Sequence, residues 1–255
     1  MKTDNRFLSL LKRFFPHCIA IILFYILTIA YFSPYFFDGQ VLPQGDMVSG
    51  VGMTKEVVDF YKETGIKSGW TNSMFSGMPT ETMYGDPGFN FFLEMMALFR
   101  GGLPYNDSGI LFTYLICFYI FMLLMGASPW LSIVGAIGFS LASYNIIIIE
   151  AGHVTKAYAM AYLAPMIVGI ILTFRKKYLL GGSMTLLFAG MLIMSNHLQV
   201  TYYALIMALV LGVAYFFYYL FRKKELRSFF KAIGVLVIAA VFAVLLLANL
   251  IANEH

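Results

Sequence analysis

Residues 131–174 read LSIVGAIGFSLASYNIIIIEAGHVTKAYAMAYLAPMIVGIILTF. Two apolar runs, 131–149 and 158–174, flank one short polar insertion, Glu150-Ala151-Gly152-His153-Val154-Thr155-Lys156. Each run approaches the roughly 20 residues that an α-helix needs to cross a hydrocarbon core of about 30 Å. Neither alternates with period two, as barrel strands would. The stretch therefore predicts two membrane helices joined by a turn that carries an acid, an imidazole and an ammonium.

The pattern extends in both directions. Further apolar runs at 19–37, 110–125, 179–195, 200–221 and 229–250 bring the expected number of transmembrane helices to seven. With 60% of 255 residues hydrophobic and only 12% charged, a soluble core could not absorb the apolar surface. The expected class is an all-α membrane protein, with residues 1–255 forming a single transmembrane module. Lys2, Arg6, Lys12 and Arg13 precede the first run as they would in a signal peptide. That run is too long for such a segment, and Ser33-Pro34-Tyr35-Phe36-Phe37 offers no small-x-small cleavage site, so it reads as an uncleaved helix. Cys18 and Cys117 fall at the start of one span and inside another, which suits packed thiols better than a disulfide.

Charge sets the expected orientation. With a cytoplasmic N-terminus and every run crossing, the inner segments hold Lys2, Arg6, Lys12 and Arg13, then Arg175, Lys176 and Lys177, then Arg222, Lys223, Lys224, Arg227 and Lys231. The outer segments hold only Lys55, Lys62, Lys67, Arg100 and Lys156. Three separate segments thus obey the positive-inside rule, as expected of a multi-pass membrane protein with a cytoplasmic N-terminus. The net charge of +4 follows from topology, and no nucleic-acid partner is implied.

The first outer loop, 38–108, is too long for a plain connection. Met53, Val57, Val58 and Tyr61 recur at helical spacing opposite Lys55, Glu56, Asp59, Lys62 and Glu63, which predicts an amphipathic helix on the membrane surface. A second interfacial helix is expected over 87–99, with Asp86 as its cap and Pro87 in its first turn. Between them, Gly69-Trp70-Thr71-Asn72-Ser73-Met74-Phe75-Ser76-Gly77-Met78-Pro79 reads as either an aromatic interfacial anchor or a substrate-binding loop. Gly126-Ala127-Ser128-Pro129 predicts a tight hairpin. The stripe Ser132, Ala136, Ser140 predicts a close helix contact, and Pro165 a kink.

Three outer elements carry the polar groups. Asp46 follows the first span and suits a general base or a ligand for a divalent metal ion, or else the cap of a turn. Around Gly152, the residues Glu150, His153 and Lys156 stand within seven positions. Lys156 runs against the charge bias, which suits an anionic partner or an ordinary lipid headgroup. Ser195-Asn196-His197-Leu198-Gln199, followed by Tyr202 and Tyr203, is either a pocket rim or a hydrated helix end. The His and acid spacing matches no metal motif, and no nucleotide-binding loop or nucleophile elbow is present.

The order of these parts resembles a known family. Leu42-Pro43-Gln44-Gly45-Asp46 after the first span, then Trp70 with Gly77-Met78-Pro79, then Ala151-Gly152-His153 with Lys156, and finally Asn196-His197-Leu198-Gln199 with Tyr202 and Tyr203 are similar to the N-terminal portion of YfhO-like bacterial membrane proteins. These are grouped with the GT-C glycosyltransferases. The resemblance implies a longer protein and sugar transfer at the outer face from a polyprenyl-phosphate-linked donor, a lipid-linked sugar. It places Asp46 at the acidic catalytic position. On that basis Glu150 and His153 orient the acceptor or metal, Lys156 binds donor phosphate, and His197, Gln199, Trp70 and Tyr202 line the pocket. The alternatives are a transporter or flippase of lipid-linked saccharides, or a non-catalytic membrane fragment. Ionisable groups gathered at one face rather than along a buried path favour chemistry over transport.

Overall fold

The computed structural model describes residues 2–80 and 90–252, with side chains over 13–80 and 90–246. Its described elements are helices α1 (Lys2–Tyr31), α2 (Ser33–Asp38), α3 (Gly45–Thr64), α4 (Phe91–Phe99), α5 (Ser108–Met125), α6 (Pro129–Ser140), α7 (Ser143–Ala151), α8 (Val154–Phe174), α9 (Tyr178–Met194), α10 (Leu198–Phe217) and α11 (Leu226–Ala252). A π-helical turn, Tyr218–Lys223, extends α10, and a minimal antiparallel ladder pairs Trp70–Thr71 with Met78–Pro79. Among the described residues, five helices are long and apolar enough to cross a membrane, and a sixth crossing results if α6 and α7 count as one bent span. The chain is a multi-pass helical membrane protein by this measure.

Three of the expected spans differ from the sequence reading. The run 19–37 is not one helix, because α1 ends at Tyr31 and Pro34 stands in the first turn of a separate α2. Residues 131–149 do not form one helix: the chain leaves helical geometry at Leu141-Ala142, and α6 and α7 meet at 51°. At the break the Phe139 carbonyl accepts from the Ala142 nitrogen at 3.2 Å and from the buried Asn145 amide at 2.7 Å, in place of the single bond that an unbroken helix would give it. α9 is only 17 residues, roughly 25 Å long, and so falls short of the helices that pass on length.

Packing divides the helices into core and periphery. In α8, 78% of the most apolar window is buried, against 17% in α1 and 11% in α10, so α8 is the axis and the other two turn most of their surface outward. α9 reaches α8 through glycine. A Cβ on Gly181 would stand 2.5 Å from the Thr173 nitrogen and 2.7 Å from the Gly169 oxygen, so only a bare backbone fits there. The expected stripe Ser132, Ala136, Ser140 is fully buried where α6 packs on α5. The hairpin before it forms as its residues dictate: Gly126 takes φ +102°, and Ser128 caps α6 ahead of Pro129. α8 continues through Pro165.

The shorter pieces deepen the core at one end. α4 begins one residue after Asn90, whose side chain accepts from the backbone nitrogens of Phe92 and Leu93. Asp86 and Pro87, expected to start this helix, lie outside the described residues. Phe92 is completely buried against Gly190 of α9. Tyr105 stacks on Tyr158 with ring centroids 4.9 Å apart, and the Tyr158 hydroxyl donates to the Tyr105 carbonyl. Cys18 and Cys117 are both free.

The antiparallel course of α5 to α10 sorts polar residues between the two ends of the bundle. The starts of α5, α8 and α10 share one end with the start of α3, while Arg175, Lys176, Lys223 and Glu225 share the other. α1 follows the same sense. His17 at its middle bonds Tyr119 late in α5, and Tyr25 further along donates to the Gly101 carbonyl just before α5.

Candidate functional site

The polar end is organised by Gln44. This residue is buried, and its amide donates to the Asn106 carbonyl at 2.8 Å and the Ile149 carbonyl at 2.7 Å. One side chain thereby ties the start of α3 to both the α5 entry and the end of α7. Gly152 completes the joint. It terminates α7 with φ +84°, and any Cβ there would lie 2.9 Å from the Gln44 Cβ. A left-handed turn without a side chain lets the two segments touch.

That contact brings Asp46 to His153. The His153 Nδ1 lies 2.5 Å from the Asp46 Oδ2, although the two residues are far apart in sequence. Asp46 stands in the first turn of α3, where the helix dipole also favours a carboxylate. The N-cap position itself belongs to Gln44. Both side chains remain about half exposed, and solvent can reach them.

His197 and Lys156 border this pair. Burial, followed by the positive charge of Lys156, holds the His197 imidazole below its ordinary pKa. Its Nδ1 accepts from the Val200 nitrogen at 3.3 Å, capping α10. Lys156 sits over the Tyr144 ring at 5.3 Å and forms no ion pair among the described residues. The site thus combines a carboxylate–imidazole pair, a neutral imidazole and an uncompensated cation.

Other expected members stand apart. Glu150 is exposed and lines an adjacent groove of about 310 Å³ with Tyr31, Pro34, Gln40 and Pro43. Gln199 donates to the Tyr203 hydroxyl at 3.0 Å, and Tyr202 is exposed beside Tyr203, an arrangement that suits an aromatic belt. Trp70 is held at the middle of α3, about 15 Å along the helix from Asp46. No group of three or more His, Cys, Asp or Glu side chains able to hold a metal ion occurs among the described residues. Asp46 and His153 bring two donors together, and among the described residues no third His, Cys, Asp or Glu joins them.

Glu56 decides where Trp70 goes. Its carboxylate accepts from the Thr71 hydroxyl at 2.6 Å and from the backbone nitrogens of Asn72 and Ser73 at 3.0 and 2.9 Å. These donors, the Thr71 hydroxyl foremost, lower the Glu56 pKa. A depressed carboxylate pKa contributes stability that is present above the unfolded value and is lost as pH falls through the folded one. Acidification below the ordinary carboxylate range should therefore release the Trp70 loop, shifting Trp70 emission in a Trp130→Phe background. Glu56→Gln should show the released spectrum at neutral pH and no acid transition; an unchanged transition would assign it to another group.

In the sequence Glu56 shows only as part of a polar helix face, and Gln44 only as a member of the stretch Leu42-Pro43-Gln44-Gly45-Asp46. The available signal was Gln44 itself, an amide beside Gly45-Asp46 at the end of an apolar span. No family model, curated protein or solved structure matches the chain.

Proposed function

We propose that the chain is a module of a GT-C-like glycosyltransferase of the YfhO-like kind, acting at the extracytoplasmic face of the bacterial inner membrane on a polyprenyl-phosphate-linked sugar. The observation that carries this reading is the 2.5 Å contact between Asp46 and His153. A carboxylate on Nδ1 selects the tautomer that leaves Nε2 with a free lone pair. His153 then takes the proton of an acceptor hydroxyl as that oxygen bonds to the sugar anomeric carbon. The bond from that carbon to the donor phosphate breaks, polyprenyl phosphate leaves, and Asp46 stabilises the imidazolium. Lys156 receives the phosphate charge, and neutral His197 hydrogen-bonds the substrates.

The topology belongs to the same proposal. α6 and α7 together form one span, and α9, at the short end of the crossing range, forms another, giving seven with a cytoplasmic N-terminus. The gathering of Arg175, Lys176 and Lys223 opposite the Asp46 end supports this orientation. The broken α6–α7 span favours a second reading, transport of a lipid-linked saccharide, because discontinuous helices line many transporter sites.

Thr64→Cys, Lys177→Cys and Arg227→Cys, each in a Cys18→Ala background, test the orientation on intact cells. An impermeant maleimide should label only the first. Labelling of the other two without the first would invert the protein and remove the site from the outer face.

A further inference from the structure

The opposite end of the bundle holds a polar cluster with no part in the Asp46–His153 site. Arg175, Lys176 and Lys223 line a cavity of about 690 Å³ walled by Tyr215 and Tyr218. Small-molecule sites span about 300–1,000 Å³. One carboxylate, Glu225, enters it and is taken by Lys176. Arg175 and Lys223 have no carboxylate within ion-pair distance among the described residues, and Lys223 lies over the Tyr218 ring at 5.9 Å, so three cations face one carboxylate in the cavity. The π-helical turn Tyr218–Lys223 forms one side, and such turns are rare and concentrate at functional sites. The Tyr219 hydroxyl fastens this turn to α8 by donating to the Phe174 carbonyl at 2.6 Å.

Phe174 connects this cavity to a second space. Its ring stacks on Tyr215 with centroids 4.5 Å apart and also lines an almost wholly apolar crevice of about 270 Å³ between α8, α9, α10 and α11. The crevice follows α10 from Thr201 to Gly212, a run of roughly 16 Å at the helical rise per residue. Its Gly212 end adjoins the cavity, whose lining reaches Ala214 and Tyr215, so a hydrocarbon chain can enter the groove from the cationic side. A cationic chamber and an apolar groove meeting at one ring match an amphiphile with an anionic head and a hydrocarbon tail.

We propose that this cleft holds one anionic phospholipid, its phosphate between Arg175 and Lys223 and one acyl chain along α10. The assignment is independent of the sugar-transfer reading. Charge complementarity selects the head, and the groove selects a lipid over a free anion.

Native mass spectrometry of the full chain, released from nanodiscs of phosphatidylcholine with a minor fraction of phosphatidylglycerol, tests it. One phosphatidylglycerol should stay bound, and millimolar inorganic phosphate should not displace it. Each cation removed near a membrane surface costs roughly fivefold, so Arg175→Gln with Lys223→Gln should lower retention about 30-fold. Lys231→Gln, at the same end but outside the lining of the cavity, should change it less than about twofold. Ala208→Phe, which fills the groove and leaves every cation, should lower retention about tenfold or more. If the double variant does not fold, Lys223→Gln and Ala208→Phe decide the matter alone. Unchanged retention in the charge variants would overturn the proposal. So would displacement by inorganic phosphate with no effect of Ala208→Phe, or a lipid-free dimer seated on the groove.

Discussion

Asp46→Asn is expected to lower sugar transfer by about 10²–10⁴-fold, the usual contribution of acid–base catalysis. The substitution keeps the size of the side chain and removes the charge that steadies the His153 imidazolium. Its structural cost should be small, within about 0.5 kcal/mol, because Asp46 is about half exposed and the N-cap position of α3 is held by Gln44. His153→Gln should reduce the rate similarly, and the double variant should be little worse than either alone, since paired groups acting as a unit are not additive. Asp38→Asn, a nearby control, should retain full activity. Equal rates for Asp46→Asn and Asp38→Asn would remove the pair from catalysis. Loss of folding in Asp46→Asn alone would give the carboxylate a structural role.

The largest expected effect on stability is that of Gly181→Leu. The side chain would start inside the contact distance of the Thr173 nitrogen and the Gly169 oxygen, both backbone atoms that cannot rotate away. Overpacking of this kind costs about 1–3 kcal/mol and more where the backbone must move. α8 and α9 would separate, and the core around Tyr162 and Phe188 would open with them. Gly138→Leu is the matched control: nothing lies within 4 Å of its Cβ position, and leaving glycine favours the helix by roughly 1 kcal/mol. Thermal unfolding in detergent should show a marked fall for the first and none for the second. Equal midpoints would mean that the α8–α9 contact contributes little to the fold.

Membrane class and most helices were legible in the sequence because long apolar runs leave few alternatives. The break at Leu141-Ala142 was hidden, since hydropathy does not register that the Asn145 amide can replace a helical hydrogen bond. The site was legible in its parts but not in its grouping. Asp46, His153, Lys156 and His197 share one end as expected, whereas the direct pairing of Asp46 with His153 depends on Gln44 and the bare turn at Gly152. Glu150 shows the limit of spacing arguments. It lies three residues from His153, yet the end of α7 directs it to a different groove. Trp70 shows the limit of composition, because a carboxylate on α3 fixes its loop rather than the aromatics themselves.

Proteoliposomes of the full-length protein, loaded with a polyprenyl-phosphate donor labelled in both sugar and lipid, test sugar transfer most directly. With an acceptor present, the sugar label should leave the carrier and appear on the acceptor, and Asp46→Asn should abolish that separation. Passage of the donor across the bilayer with both labels still joined, at the same rate in wild type and Asp46→Asn, would contradict catalysis and establish a transporter.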